Sequence, residues 1–578
     1  MIIFDIETNG LLDDLDRVHC LVLKDTSTNK VETYTDNIQD GLKRLEQADC
    51  IVGHNIIKFD LPALKKVYDF NYKGKLRDTL VLTRLIWSDI KERDFQTKDF
   101  PTKLIGRHSL QAWGVRLGNT KGDYTGSWEQ FNNEMLLYCI QDVHVTDSLW
   151  KKICEKNYSE ESIELEHKLA EIIYQQECNG FKFNTTKAQR LYSDLAAKRE
   201  SLKQDLKNSF PDWEVRTPFV PKVNNKKLGY RKGIPTEKVQ VIEFNPSSRD
   251  HVANRLINLR GWKPKQYTND GKPKVDEDVL KSLPYPESKV LVEYYTIEKR
   301  IGQLAEGRQA WLKLVKNNRI YGSVNTNGAV TGRATHSHPN VGNVPATTVP
   351  YGKECRELFT VDDENVLVGI DVSGLELRCL AHFMSRYDNG TYIKEVLDGD
   401  IHTANQKAAG LDTRAQAKTF IYALVYGCGA AKMGEILGKD VKAGKKIISD
   451  FMKRTPALKR LIEDVQQKAT KGYIKGLDGR QLKIRSAHKA LNTLLQSSGA
   501  LICKQWIIDV HELIHQHNLD CKQVAWVHDE IQIETRKENA DELGKLAKQA
   551  IRNSEKRFNF RCELDCEYRV GKNWSQTH

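Results

Sequence analysis

No stretch of this chain approaches the roughly 20 uncharged apolar residues needed to cross a bilayer, and a mean hydropathy of −0.56 argues against an integral membrane protein. The opening, MIIFDIETNG, carries Asp5 and Glu7 where a secretory leader would need a basic start and a longer apolar run, so secretion is not expected. Cysteine pairs in metal- or redox-site spacing are missing too. The 12 cysteines are scattered, and the close pair Cys562 and Cys566 is not a CxxC, which leaves reduced, mostly buried thiols in a cytosol. There is no internal repeat and no low-complexity tract. With 39% apolar and 29% charged residues, disordered, collagen-like and coiled-coil classes find no support.

What is present is length and positive charge. The 578 residues exceed a single domain of roughly 100–200 residues several-fold, so two to four domains are expected. The net charge of +12 favours an anionic partner. The first part reads as mixed α/β: MIIFDIE and HCLVLKD are strand-like, and LPALKKVYDF and NEMLLYCIQDVHVTDSLWKKI have helical periodicity. From about Glu160 three long helices are expected, the third over SKVLVEYYTIEKRIGQLAEGRQAWLKLV. Between the second and third, RTPFVPKVNNKKLGYRKGIPTEKVQ reads as an exposed basic loop or small subdomain. Strands return after Tyr321, interrupted by a predominantly helical block from His402 to about Ser486.

Two constellations of acids stand out. In IIFDIET, Asp5 and Glu7 lie two apart on a strand and share a face. Alone, such a pair is most simply an exposed strand face. Here it is followed by Asp60 at a loop-to-helix junction in HNIIKFDLPAL, and by Tyr138 and Asp142 one helical turn apart in YCIQDV. Such a set could hold two Mg²⁺ ions about 4 Å apart for phosphodiester hydrolysis, with Tyr138 orienting the water. The loop residues His54 and Asn55 are read as shaping backbone. The second constellation joins Asp371, ending the strand of VLVGIDVS, to His528, Asp529 and Glu530 at the hairpin tip of AWVHDEIQIE. Asp371 and Asp529 could share two Mg²⁺ with a nucleoside triphosphate and a primer hydroxyl. Between them, Arg414, Lys418, Tyr422 and Tyr426 recur every four residues, drifting only ~40° per step around a helix. Two cations followed by two aromatics on one stripe is what a triphosphate, a sugar and a base would meet in turn, with His402 a further phosphate contact.

The motif order DIET, HNIIKFD, YCIQD resembles the 3′-to-5′ proofreading exonucleases of the DnaQ-like superfamily. DVSGLELR, RAQAKTFIYALVYG and VHDE, with TGRATHSHPN, IKGLDGR and ALNTLLQSSGA, resemble the motifs of family-A DNA polymerases, in wording nearest those of T-odd-type podophages. The resemblance implies an α/β and α+β multidomain chain: a ribonuclease-H-like exonuclease domain over 1–158, then a right hand. Its thumb would span 159–320 with the basic insertion at about 211–243. Palm would occupy 321–401 and 491–578, and fingers 402–490. It implies Asp5, Glu7, Asp60 and Asp142 as exonuclease metal ligands with Tyr138 catalytic, and Asp371, Val372 and Asp529 as ligands of the polymerase metals with Glu530 a supporting acid. The cofactor would be Mg²⁺, two ions per site, replaceable by Mn²⁺. His402, Arg414, Lys418, Tyr422 and Tyr426 would bind dNTP, with Glu376 paired to Tyr422 to bar a ribose 2′-hydroxyl. Arg333, Asn492 and Gln496 would touch the minor groove, and His528 the primer end.

Implied partners are primer-template DNA and dNTPs, with a helicase-primase and a single-stranded-DNA-binding protein as further candidates, for a monomer acting away from membranes in the host cytoplasm. Three departures accompany the resemblance. The 5′-nuclease domain of bacterial members is expected to be absent, and PNVGNVP replaces a PNLQNIP-like segment. The region where the phage relatives carry a thioredoxin-binding insertion is short, so thioredoxin is not expected to be required. Two other readings compete: an exonuclease whose C-terminal part is a DNA clamp, and a non-enzymatic replisome scaffold. Intact acids in both constellations argue against each. A reverse transcriptase is disfavoured because YxDD is missing.

Overall fold

The computed structural model describes all 578 residues, which form two compact units: Met1–Phe181 with Tyr321–Asn343 and Val361–His578, and Lys182–Ile320 with Val344–Thr360. No helix is long and apolar enough to cross a membrane.

The first unit opens with a five-stranded sheet in the order Val31–Tyr34, Val18–Asp25, Ile2–Thr8, Cys50–Gly53, Lys75–Asp78. The first three strands are antiparallel and the last two join in parallel. The central strand buries apolar side chains on both faces. Ile2, Phe4 and Ile6 enter one core, while Ile3 packs with Cys139 and Val143 of the helix Asn133–Cys154. Period-two alternation therefore puts Asp5 and Glu7 in the row of Ile3, beneath that helix.

A second sheet, antiparallel throughout, orders Cys521–Val527, Glu530–Arg536, Asn365–Val372 and Cys566–Gly571. Its register sets Asp371 opposite both Glu530 and Glu567. The helices Leu375–Asp388, Ala490–Gln516 and Ala540–Arg557 contribute to the core beside it. Between Leu375–Asp388 and Ala490–Gln516 lie the helices Thr391–Leu397, Ile401–Ala409, Arg414–Val425, Ala430–Ile436, Val441–Arg454 and Pro456–Ala469. The IKGLDGR segment that follows forms a small hairpin, Tyr473–Lys475 with Gln481–Lys483.

Four charged side chains, all with at most 2% exposure, join distant parts of this unit. Glu166 on the helix Glu160–Asn179 accepts from Arg480 at 2.7 Å and from Lys504 at 2.5 Å, Asp478 accepts from Arg480 at 2.7 Å, and Asn327 accepts from both cations at 3.1 Å. Glu166 and its helix lie in the first unit, and the second unit begins at Lys182.

In the second unit the helix Thr185–Ser209 packs on Pro286–Ile301. The third long helix is shorter than its periodicity suggests. It ends in a wide turn, Gly302–Glu306, closed by the Gly307 N–H on the Gly302 carbonyl at 2.9 Å, and Trp311–Leu314 forms a separate turn. The basic segment is a two-stranded ribbon, Trp213–Phe219 against Thr236–Ile242. Such a ribbon has only edge strands, which is where Pro218 is tolerated. Lys222, Lys226, Lys227, Arg231 and Lys232 are exposed toward its tip, with no acid between Glu214 and Glu237.

Removing Glu166 would leave Arg480 and Lys504 sharing Asp478 and Asn327 in a buried site. Glu166→Ala should therefore lower stability by about 3–5 kcal/mol. Urea unfolding would measure it, and a loss below about 1 kcal/mol would contradict the ascribed role.

Candidate active sites

Asp5 and Glu7 project beneath the helix Asn133–Cys154, which brings Asp142 toward them. Asp60 is the first residue of the helix Asp60–Tyr68. The loop before it is drawn in by Asp78, whose carboxylate accepts from the backbone N–H of Asn55 at 2.9 Å and of Ile57 at 3.1 Å; Asn55 is left-handed at φ 67°. Asp60 and Asp142 are each 3% exposed. Burial, then Asp142, Asp60 and Glu7, push Asp5 far above the carboxylate range. Burial and Asp142 raise Glu7 to about 8, and burial and Asp78 raise Asp60 to about 7. Asp142 is raised by burial, and its Oδ1 is buried without a partner. Four mutually repelling acids with an orphaned oxygen are a donor set suited to hard divalent cations. Tyr138 lies one turn before Asp142, half-buried, its hydroxyl made less acidic by burial. A 1320 Å³ cleft beside them is lined by Lys58, Arg84, Lys103, Arg107, Lys121 and Tyr138.

In the second constellation, Asp371 is the penultimate residue of its strand, and the Val372 N–H donates to the Asp529 carbonyl at 3.0 Å, pinning strand end to hairpin tip. The tip bends at His528, left-handed at φ 60°, whose carbonyl accepts the Trp526 indole N–H at 2.9 Å. Burial, then Asp529 and Glu530, raise Asp371 to about 7. Asp529 is raised by burial and by Glu376. These acids too fit a divalent ion. Glu530 faces inward: Gln532 Nε2 donates to its Oε1 at 2.6 Å, Trp574 Nε1 donates to the same oxygen at 2.5 Å, and His578 Nδ1 lies 2.6 Å from Oε2. It secures the C-terminus behind the two aspartates.

A 250 Å³ pocket unites Arg333, Glu376, Tyr426, His528 and Asp529. The Tyr426 hydroxyl donates to Glu376 at 3.2 Å, and burial and then the Glu376 charge make the Tyr422 hydroxyl less acidic. The helix carrying Tyr422 stops at Val425, so Tyr426 caps its end beside Glu376. Arg333 lies 3.8 Å from the same Glu376 oxygen. His402 sits 6.4 Å from the Tyr422 ring, and its basicity is lowered by burial and then by Arg414 and Lys418, so these four residues are neighbours. Asp400 accepts from Arg414 Nε at 2.8 Å while capping the His402 helix. On Ala490–Gln516, Gln496 donates to Asn492 at 2.8 Å.

Residues 229–576 match the family described as DNA polymerase family A. The chain belongs to this family. The polymerase is 39% identical to the DNA-directed DNA polymerase of Escherichia phage T7 and 38% identical to that of Enterobacteria phage T3, each over 705 positions and all of both chains. Since this chain has 578 residues, those relatives carry segments that it lacks. A solved structure, the POL domain of Pol1 from M. smegmatis in complex with DNA primer-template and dNTP, superposes with a TM-score of 0.76 at 17% identity, covering 99% of this chain and 96% of that one. That likeness speaks for the fold. Family A polymerases use divalent metal ions, in keeping with both acid sets.

Sequence reasoning missed Asp78, Arg84, Lys103, Arg107 and Lys121. Their one signal was charge near the first constellation, which does not distinguish a cleft from a solvated surface. The raised carboxylates have a pH consequence. Between the ordinary carboxylate range and about pH 7–8 the folded polymerase binds more protons than the unfolded chain, so the metal-free protein loses stability as pH rises. Bound divalent ions offset that loss. Mg²⁺ should therefore raise the melting temperature more at about pH 8 than at about pH 5.5; equal increments would contradict the assignment.

Proposed function

We propose that this DNA-directed DNA polymerase extends primers at the Asp371–Asp529 cleft and shortens them 3′ to 5′ at Asp5, Glu7, Asp60 and Asp142, in replication of phage DNA. The observation that carries the reading is the presence, in one compact unit, of two separate acid clusters, each raised by burial and mutual repulsion. Two Mg²⁺ per site, replaceable by Mn²⁺, would be held by Asp371, Val372 and Asp529 and by the four N-terminal acids; when bound they activate a hydroxyl or water and stabilise the leaving oxygen.

The protein's own side chains do the rest. His402, Arg414 and Lys418 draw in the triphosphate, and Tyr422 faces the sugar. Glu376, held by Tyr426, fills the space a 2′-hydroxyl would need, which selects dNTP. Arg333, Asn492 and Gln496 donate to purine N3 and pyrimidine O2, acceptors that every base pair offers, so pairing geometry is checked without reading sequence. His528 meets the primer end. The primer 3′-oxygen then attacks the α-phosphorus and pyrophosphate leaves. In the other site Tyr138 orients the attacking water, and the basic cleft receives the frayed strand. In this reading residues 1–158 are the exonuclease, 159–320 include the thumb, 402–490 are fingers, and 321–401 with 491–578 form the palm. The enzyme works as a monomer, with a helicase-primase and a single-stranded-DNA-binding protein as candidate partners.

A primer assay with and without dNTPs tests the division. Asp371→Ala or Asp529→Ala should reduce extension at least about 10³-fold and spare degradation. Asp5→Ala with Glu7→Ala should do the reverse. If either change removed both activities from folded protein, the two-site reading would fail.

The basic ribbon is the proposed DNA grip that makes thioredoxin dispensable, since its tip carries five exposed cations and no acid. Neutralising Lys226, Lys227, Arg231 and Lys232 should shorten products per binding event and reduce the salt slope of DNA binding by about 3–4. Single-nucleotide addition should be unchanged. In a trap-challenged assay, long products that need added thioredoxin would contradict this.

A further inference from the structure

Beyond lining the basic cleft, Lys121 has no part in the chemistry set out above, yet its ammonium lies inside the exonuclease cluster. It donates to Asp142 Oδ2 and sits 4.4 Å from the centre of the Tyr138 ring. The Lys121 side chain is 21% exposed and that of Asp142 only 4%. It is also the cation that opposes the upward shift of Asp5 and Glu7.

This placement is built. Lys121 belongs to the segment between the helices Leu110–Leu117 and Asn133–Cys154, and that segment is tied to the second of them, the helix that carries Asp142. Gln141 Nε2 donates to Asn119 Oδ1 at 2.9 Å and to the Thr120 carbonyl at 3.0 Å, and Asn119 Nδ2 donates to Ser148 at 3.1 Å. Beyond Lys121, Tyr124 packs on Trp128 at 4.7 Å and on Tyr138 at 6.0 Å, and the Trp128 carbonyl lies 2.9 Å from His19 Nε2. The strap thus holds its lysine against Asp142 from both sides. Asp142 is left half-satisfied, one oxygen on the ammonium and the other, Oδ1, buried with no partner.

We infer that Lys121 is an exchangeable counter-cation of the exonuclease site: it holds Asp142 when no divalent ion is bound and competes with that ion for the carboxylate. The inference rests on reading the four N-terminal acids as the exonuclease metal site. An ammonium and a divalent ion cannot both bond fully to Asp142 Oδ2, so loading must draw that oxygen away from Lys121. The divalent ion wins because it satisfies Oδ1 as well and neutralises several acids at once, but it wins at a higher concentration than it would against a neutral side chain. Lys121 thereby sets the metal concentration at which primer hydrolysis begins. It is a positioning residue.

The sign of one measurement separates this from a merely structural lysine, whose loss would loosen the acids and weaken metal binding. Full-length protein carrying Asp371→Asn and Asp529→Asn would be titrated with Mn²⁺, and free ion followed by electron paramagnetic resonance. In that background Lys121→Met should bind Mn²⁺ roughly tenfold more tightly, the worth of one charge-assisted hydrogen bond, and Lys121→Arg should stay close to the parent. Unchanged or weaker binding in Lys121→Met overturns the inference. A cooperative melt verifies folding, with Lys121→Gln used if the methionine variant fails it. Asp5→Asn with Glu7→Gln is the separate control: Mn²⁺ binding that survives those changes refutes the metal-site reading itself.

Discussion

Carboxylates close enough to share a cation repel one another until the cation arrives, so the fold has to hold them against that force. Here rigid backbone does so. Asp371, Glu530 and Glu567 are opposed by sheet register, and Asp529 is tied to the same strand end by the Val372 N–H. Asp5 and Glu7 are fixed by strand alternation beneath a helix whose Cys139 and Val143 already pack on Ile3. Burial adds to the repulsion, and the acids respond by shifting upward together. The cost is stored in the metal-free protein and released when divalent charge binds.

Both acid clusters lie in the unit that the buried Glu166–Arg480–Lys504 network knits together. A second tie is Lys58, from the loop that leads to Asp60. It donates to Glu177 at 2.6 Å and to the Val324 carbonyl at 3.2 Å, linking that loop to the helix Glu160–Asn179 and to the strand Ser323–Asn325. The loop before Asp60 and the strand Ser323–Asn325 are thus anchored to a common helix. Burial lowers Lys504 to about 8 even beside Glu166, which shows how far from water this junction lies.

Much of this was legible in the sequence because it follows local periodicity. Alternation paired Asp5 with Glu7, a helical turn paired Tyr138 with Asp142, and a four-residue rhythm aligned Arg414, Lys418 and Tyr422. Where the outcome turned on how elements end or meet, the sequence was mute. Tyr426 reaches Glu376 because its helix stops one residue earlier, and the third long helix stops because Gly307 closes a wide turn on Gly302. Glu166, Arg480 and Lys504 are separated by more than 300 residues from first to second, and no spacing rule connects them. Lys121 reads as one lysine among many until the strap brings it to Asp142.

The central claim is that each acid cluster is held together in order to bind divalent ions. Anomalous scattering from crystals soaked in Mn²⁺ near neutral pH tests it most directly. The account predicts manganese between Asp371 and Asp529 and among Asp5, Glu7, Asp60 and Asp142. Manganese absent from either cluster, its acids bridged by protons or lysine alone, would contradict it.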